Sequence, residues 1–104
     1  MIISTTNFVS GYEIIEVLDI ARGSTVRARN IGRDIFAGLK NIIGGEITEY
    51  TRLLAEARED ALERMINDGH SLGADAIINV RFTTSAVMAG CSEILAYGTA
   101  VKLK

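Results

Sequence analysis

The sequence is most informative in what it has little of: its 104 residues include no proline, no tryptophan, one cysteine and one histidine. Because a lone thiol cannot pair within the chain, Cys91 excludes an internal disulfide and fits a reducing compartment. The N-terminal residues have neither the positive flank nor the apolar core of a secretion signal, and no apolar run is long enough to span a bilayer. We therefore expect a cytoplasmic protein with no membrane partner.

The charge balance excludes a further class of partner. A formal net charge of −2 lacks the basic excess that neutralises phosphates, so we expect no nucleic-acid partner. The length predicts one domain over residues 1–104. A domain of this size buries only about 60–70% of the surface of its unfolded chain, yet 48% of the residues are hydrophobic and 23% are charged. This apolar excess predicts that the chain associates with itself.

The supply of metal ligands and nucleophiles is equally poor. Soft and borderline metal ions prefer thiolate and imidazole, which here means Cys91 and His70, and no Cys-x-x-Cys or His-x-x-x-His spacing holds two ligands on one element. A metal site within one chain is therefore disfavoured, although a site shared between subunits stays open. A hydrolase or redox enzyme using Cys91 is also disfavoured, because nothing orients the thiol toward a base. We expect a protein that is not an enzyme.

Two strands and a short helix are predicted in the first half of the chain. Residues 11–21 read as a strand, 22–24 as a short turn and 25–31 as a second strand, which together predict a hairpin. Asp34 can cap a short helix that ends at Gly44. The apolar residues of that helix keep helical spacing and are Ile35, Phe36, Leu39, Ile42 and Ile43.

A long helix is predicted from about Thr48 to about Leu72. Its inner stripe consists of Tyr50, Leu53, Leu54, Ala57, Ala61, Met65 and Leu72. Two more strands follow at 74–83 and 93–103, with a loop of small residues at 85–92 between them. In the first of these strands, Ile78, Val80 and Phe82 are predicted to face one way and Ile77 the other.

The last strand has one bulky face and one nearly bald face. Its bulky residues are Leu95, Tyr97, Val101 and Leu103, and they alternate with Ala96, Gly98 and Ala100. A bald face permits a close approach by a helix, and the long helix is the obvious candidate. The expected fold is therefore α+β in the order ββααββ, an antiparallel sheet with a short and a long helix on one face. The second face still carries apolar residues, which a second copy would cover.

Several separated blocks of the chain carry a family resemblance. They are NIGRDIFAGLKNIIGG at 30–45, Tyr50, EAREDAL at 56–62, LGADAI at 72–77 and GTAV at 98–101. Together they resemble the YbjQ family, also called UPF0145, with the description "putative heavy-metal-binding domain". The resemblance covers nearly the whole chain.

The resemblance implies a dodecin-like core with extra short strands, assembled as a ring that is a homopentamer, in a protein without an established biochemical role. It leads us to expect a small cytoplasmic oligomer that binds a ligand or serves structurally. The alternative is a heavy-metal-binding protein whose sites, with Cys91 and His70 as ligands, are shared between subunits. No cofactor is assigned, and a flavin carrier is disfavoured because the chain has no tryptophan for stacking.

A ligand site would be built in the best-matched blocks, from Asn30, Arg33, Asp34 and Tyr50. The guanidinium of Arg33 could receive an anion beside the N-terminus of the short helix. The simpler interpretation, which we favour, is that Asp34 caps this helix and Arg33 pairs with an acid on the same or an adjoining subunit.

Overall fold

The computed structural model describes residues 1–27, 45–88 and 91–104. They form one mixed sheet and one long helix, so the α+β class is confirmed. The strands are β1 (Ile2–Ile3), β2 (Ile14–Arg27), β3 (Ala76–Met88) and β4 (Cys91–Leu103), and the helix is α1 (Gly45–Ser71). The strand order is β1-β3-β4-β2. Within the described ranges, no helix combines the length and hydropathy needed to cross a bilayer.

Helix α1 lies against the sheet through small side chains. Ala57, Ala61 and Met65 are fully buried and pack in one cluster with Ala21, Ala96 and Ala100 of the sheet. The closest approach is at Gly23, where an added Cβ would lie 2.2 Å from the backbone nitrogen of Met65. The predicted bald face of the last strand is thus confirmed, because small residues let the helix backbone come close. We call this side of the sheet the helix face and the opposite side the open face.

The predicted hairpin at 11–31 is wrong. Residues 22–24 lie in the middle of β2, where Arg22 is opposite Tyr97, Gly23 opposite Ala96 and Ser24 opposite Leu95. Gly23 therefore serves the contact with the helix rather than a turn. A glycine read locally indicates a turn, whereas its use here depends on a helix about 40 residues later in the chain.

The sheet is mixed rather than fully antiparallel, because β1 runs parallel to β3. The predicted loop at 85–92 is also wrong in part, since β3 extends to Met88 and β4 begins at Cys91, opposite Met88. Pairing with a partner strand overrides the low strand propensity of the small residues there. The predicted short helix at 34–44 lies outside the described residues and stays a prediction. The ββααββ order is not confirmed, because its first two strands were those of the predicted hairpin.

A bulge in β3 changes the predicted facing of its side chains. Asn79 has a positive φ of 53° and lies at a register shift between Ile78 and Arg81. As a result Ile77 and Val80 both pack on the helix face, whereas Ile78 packs on the open face. The prediction that Ile78 and Val80 face the same way is therefore wrong, because a bulge adds one residue and reverses the alternation.

The N-terminal segment covers one end of the open face. Its backbone follows β3, where the Ser4 N–H donates to the Ile77 carbonyl at 2.9 Å, and it ends beside β4 in a two-bond pair between Glu13 and Lys104. Between these points Val9 is buried against the apolar residues Ala76, Ile78 and Val101. The rest of the open face extends beyond this segment.

We predict that Gly23→Ala destabilises the protein by about 3 kcal/mol, because the new methyl group would collide with helix backbone atoms that cannot move independently. Ser24→Ala is the matched control, since its side chain points to the other side of the same strand. Urea unfolding at one fixed protein concentration measures both. Equal midpoints for the two variants would contradict the close contact.

Candidate functional site

The candidate site is the uncovered part of the open face. Alternation along β2 sends Ala21, Gly23 and Thr25 to the helix face, where all three are buried. The same alternation sends Ile20 and Val26 to the open face. In β2 the small residues therefore lie under the helix, and the large apolar residues lie on the opposite side.

This surface is unusually apolar for exposed sheet. A register shift between Val17 and Asp19 interrupts the alternation and places Val17 opposite Val101, so Val17 is also on the open face. Val17 is 65% exposed, Ile20 57% and Val26 54%, and Tyr97 on β4 is 37% exposed. Isolated exposed apolar residues are ordinary, but a group on one sheet face is typical of binding surfaces. This part of the molecule is therefore suited to binding.

A polar row crosses the open face at its centre. Arg22 on β2 and Arg81 on β3 are both in register with Tyr97 on β4, so the phenol ring lies between two arginines. Nη1 of Arg81 donates to the carbonyls of Thr5 and Val80, each at 2.9 Å, which ties this side chain to the N-terminal segment. Arginine and tyrosine are the side chains enriched in protein interfaces, and arginine also suits carboxylates.

Sequence reasoning missed this row because Arg22 was assigned to a turn, although Tyr97 was correctly placed on the bulky face. If β2 had been predicted as one continuous strand, the alternation of its side chains would have placed Arg22 on the same face as Ile20. The sequence signal for this face is the set of small residues Gly23, Ala96 and Ala100. When small residues lie on one face of a strand, the residues next to them in sequence lie on the opposite face.

The predicted ligand site is mostly outside the described residues. Asn30, Arg33 and Asp34 lie there, and Tyr50 belongs to α1 in a stretch whose side chains are not described. The site they were predicted to form stays a prediction.

His70 and Cys91 lie at opposite ends of the sheet. His70 is exposed in the last turn of α1, next to Gly69, which contacts Ile77 opposite Ala100. Cys91 is the first residue of β4. The nine residue steps from 91 to 100, at about 3.3 Å each, separate the two ends by about 30 Å. One chain therefore does not bring these ligands together, and among the described residues no group of three His, Cys, Asp or Glu is placed to hold a metal ion.

A polar groove of ≈ 330 Å³ runs along α1 and is lined by Asp60, Glu63, Arg64 and Asn67. Nη1 of Arg64 leaves this groove to donate to the Ser24 carbonyl at 2.7 Å. The groove is open and its charges are mixed, so its geometry indicates no ligand.

Comparison with known proteins gives a consistent result. A family model, YbjQ_1, described as "Putative heavy-metal-binding", matches residues 1–104. A UPF0145 protein of Archaeoglobus fulgidus is 59% identical over 104 residues, covering 100% of this chain and 96% of that protein. One of Methanosarcina acetivorans is 57% identical over 103 residues, covering 99% and 97%. UPF0145 protein PBPRB0184 of Photobacterium profundum is 59% identical over 103 residues, covering 99% and 100%.

A solved structure shares the fold. The crystal structure of a DUF74-family protein of unknown function from Pediococcus pentosaceus aligns with a TM-score of 0.65 at 17% identity, covering 100% of this chain and 98% of that one. At this identity the similarity establishes the architecture and nothing about the site.

The separation of His70 and Cys91 can be measured directly. We expect spin labels on Cys91 and on His70→Cys to lie about 30 Å apart in one chain, because an extended strand separates them. Pulsed electron paramagnetic resonance, with labelled chains diluted in unlabelled protein, gives this distance. Labelled Cys91 alone is the control for distances between copies. A separation below about 15 Å would contradict the extended β4.

Proposed function

The chain belongs to the YbjQ (UPF0145) family, and from that premise we propose that it is a small cytoplasmic homo-oligomer with a binding or structural role rather than an enzyme. In this proposal the open face is the surface through which copies associate. The cytoplasmic location rests on the single cysteine, which fits a reducing compartment.

One observation carries the association: Val17, Ile20 and Val26 are each more than half exposed on one sheet face. Burying apolar surface is worth about 25 cal/mol per Å², and a stable interface buries about 1,200–2,000 Å² in total. A sheet face with several exposed apolar side chains provides the kind of surface such an interface needs. Tyr97 between Arg22 and Arg81 adds the residue types that concentrate binding energy in interfaces.

The number of copies in the proposal comes from the family resemblance, which implies a ring of five. Closed rings form when each copy presents two different surfaces that fit each other. The open face supplies one such surface, whereas α1 packs on the opposite side of the sheet.

The non-enzymatic role is supported by the placement of the reactive side chains. A general base acts within hydrogen-bond reach of the proton that it removes. The end of α1 that carries His70 and the start of β4 at Cys91 lie about 30 Å apart in one chain, so these two residues form no catalytic pair there.

We expect Ile20→Asp to weaken association by at least about 2 kcal/mol, which is about thirtyfold in the dissociation constant, because a carboxylate would be buried against apolar surface. Sedimentation velocity on wild type and variant measures the change. Ile20→Leu is the matched control, since it keeps the site apolar and should keep the wild-type mass. A wild-type protein that is monomeric at micromolar concentration would refute the proposal.

The second candidate is a metal-binding assembly, favoured by the family description. Because one chain keeps His70 and Cys91 far apart, the metal would be held between copies, with one ligand from each. The chemistry of thiolate and imidazole suits soft and borderline ions.

For this candidate we expect metal to co-purify with untagged protein, and Cys91→Ser to lower the bound metal by about tenfold or more, since it removes the only thiolate. Elemental analysis of protein separated by gel filtration gives the ratio of metal to chain. Ser92→Ala is the neighbouring control and should leave the ratio unchanged. Protein without retained metal would eliminate the metal-binding candidate and leave the structural one intact.

A further inference from the structure

The outer edge of β2 is engaged by side chains of α1. Strand β2 is the last strand of the sheet, so one row of its backbone groups has no neighbouring strand within the described residues. The Arg22 N–H in this row donates to Oδ2 of Asp68 at 3.0 Å, and the Ser24 carbonyl accepts from Nη1 of Arg64 at 2.7 Å. The backbone N–H and C=O groups of residues two apart in a strand point to the same side in the plane of the sheet. Both bonds therefore lie on the outer edge of β2.

A third bond extends the same pattern. The Ile20 N–H donates to Oδ1 of Asp19 at 2.7 Å, and residue 20 has the same parity as residues 22 and 24. Three alternate residues of β2, at positions 20, 22 and 24, therefore each have a backbone group on the outer edge that is hydrogen-bonded to a charged side chain. A charged partner makes these hydrogen bonds stronger than bonds between neutral groups.

The close contact at Gly23 is what lets α1 reach the edge. An added Cβ at Gly23 would lie 2.5 Å from the Ala61 carbonyl oxygen and 2.6 Å from the Arg64 carbonyl carbon. Arg64 and Asp68 are four residues apart, so they lie on the same side of the helix, one turn from each other. With the helix backbone this near to the strand, both side chains extend over its edge on either side of Gly23.

We propose that Arg64 and Asp68 form an edge clamp, which closes β2 against strand addition by another copy of this chain. An exposed edge is a template for pairing with another strand, and folded proteins block it with charged side chains. A strand that paired with β2 would have to displace both clamp residues and take over their backbone partners. The clamp therefore leaves the face of the sheet, rather than this edge, for association between copies.

This inference goes beyond the proposed function and does not depend on it. The clamp concerns the edge of β2 and would act in a monomer as well as in an oligomer. A reference mass taken from the wild type keeps the two proposals separate, whichever assembly the wild type forms.

The test is the double variant Arg64→Ala/Asp68→Ala, in which alanine keeps the helix propensity but removes both bonds. Sedimentation velocity at matched concentration should give a species with at least about twice the wild-type mass, because two exposed edges can pair. Arg58→Ala/Glu59→Ala is the matched control. It removes one positive and one negative charge from exposed positions of the same helix, and it should keep the wild-type mass.

A rescue variant separates edge pairing from general aggregation. Ser24→Pro in the double variant removes an outward N–H and blocks strand addition, so it should restore the wild-type mass. A double variant that sediments like the wild type overturns the clamp, and so does a larger species that the proline does not rescue. If the double variant loses its helical circular dichroism signal, Asp68→Ala alone, which keeps Arg64, is judged by the same criteria.

Discussion

The arrangement of this protein depends on the near-contact of two backbones, those of α1 and β2, at Gly23. A Cβ at this position would overlap the Met65 nitrogen, and the surrounding contact is made by alanines on both sides. Small residues bring the helix close, but they also bury little surface each. Because side chains alternate along a strand, reserving one face for small residues sends the large ones to the other face. The large apolar residues Ile20 and Val26 accordingly lie on the open face, which the helix does not cover.

The same contact gives the face and the edge of β2 different properties. Ile20 and Val26 make the face apolar and exposed, whereas Arg64 and Asp68 occupy the edge with charged hydrogen bonds. A sheet can meet another molecule by stacking through its face or by extending through its edge, and the two modes rely on different forces. Face contacts gain from burying apolar surface, and edge contacts gain from backbone hydrogen bonds. In this molecule the first mode is available at β2 and the second requires the removal of existing bonds.

The geometry also changes how the family description should be understood. The imidazole and the thiol of this chain do not form one cluster. His70 is in the last turn of α1 near one end of the sheet, and Cys91 begins the 13-residue strand β4 at the other end. A rigid sheet cannot fold back to join its ends, so any site that uses both residues requires at least two copies. Metal binding and association would then be linked, since a metal ion that binds only the assembled form stabilises that form.

The sequence by itself determined the α+β class, the long helix and the bald face of β4, because periodicity and residue size are local properties. It also placed Tyr97 on the bulky face of β4. Only the tertiary structure decided that Gly23 lies within a strand, that Asn79 forms a bulge and that β1 runs parallel to β3. Arg22 could be assigned to the site only from the structure, in which the predicted turn at 22–24 is part of a strand. Each of these features depends on a partner distant in the chain, and a backbone conformation chosen by such a contact leaves no reliable mark on the local pattern.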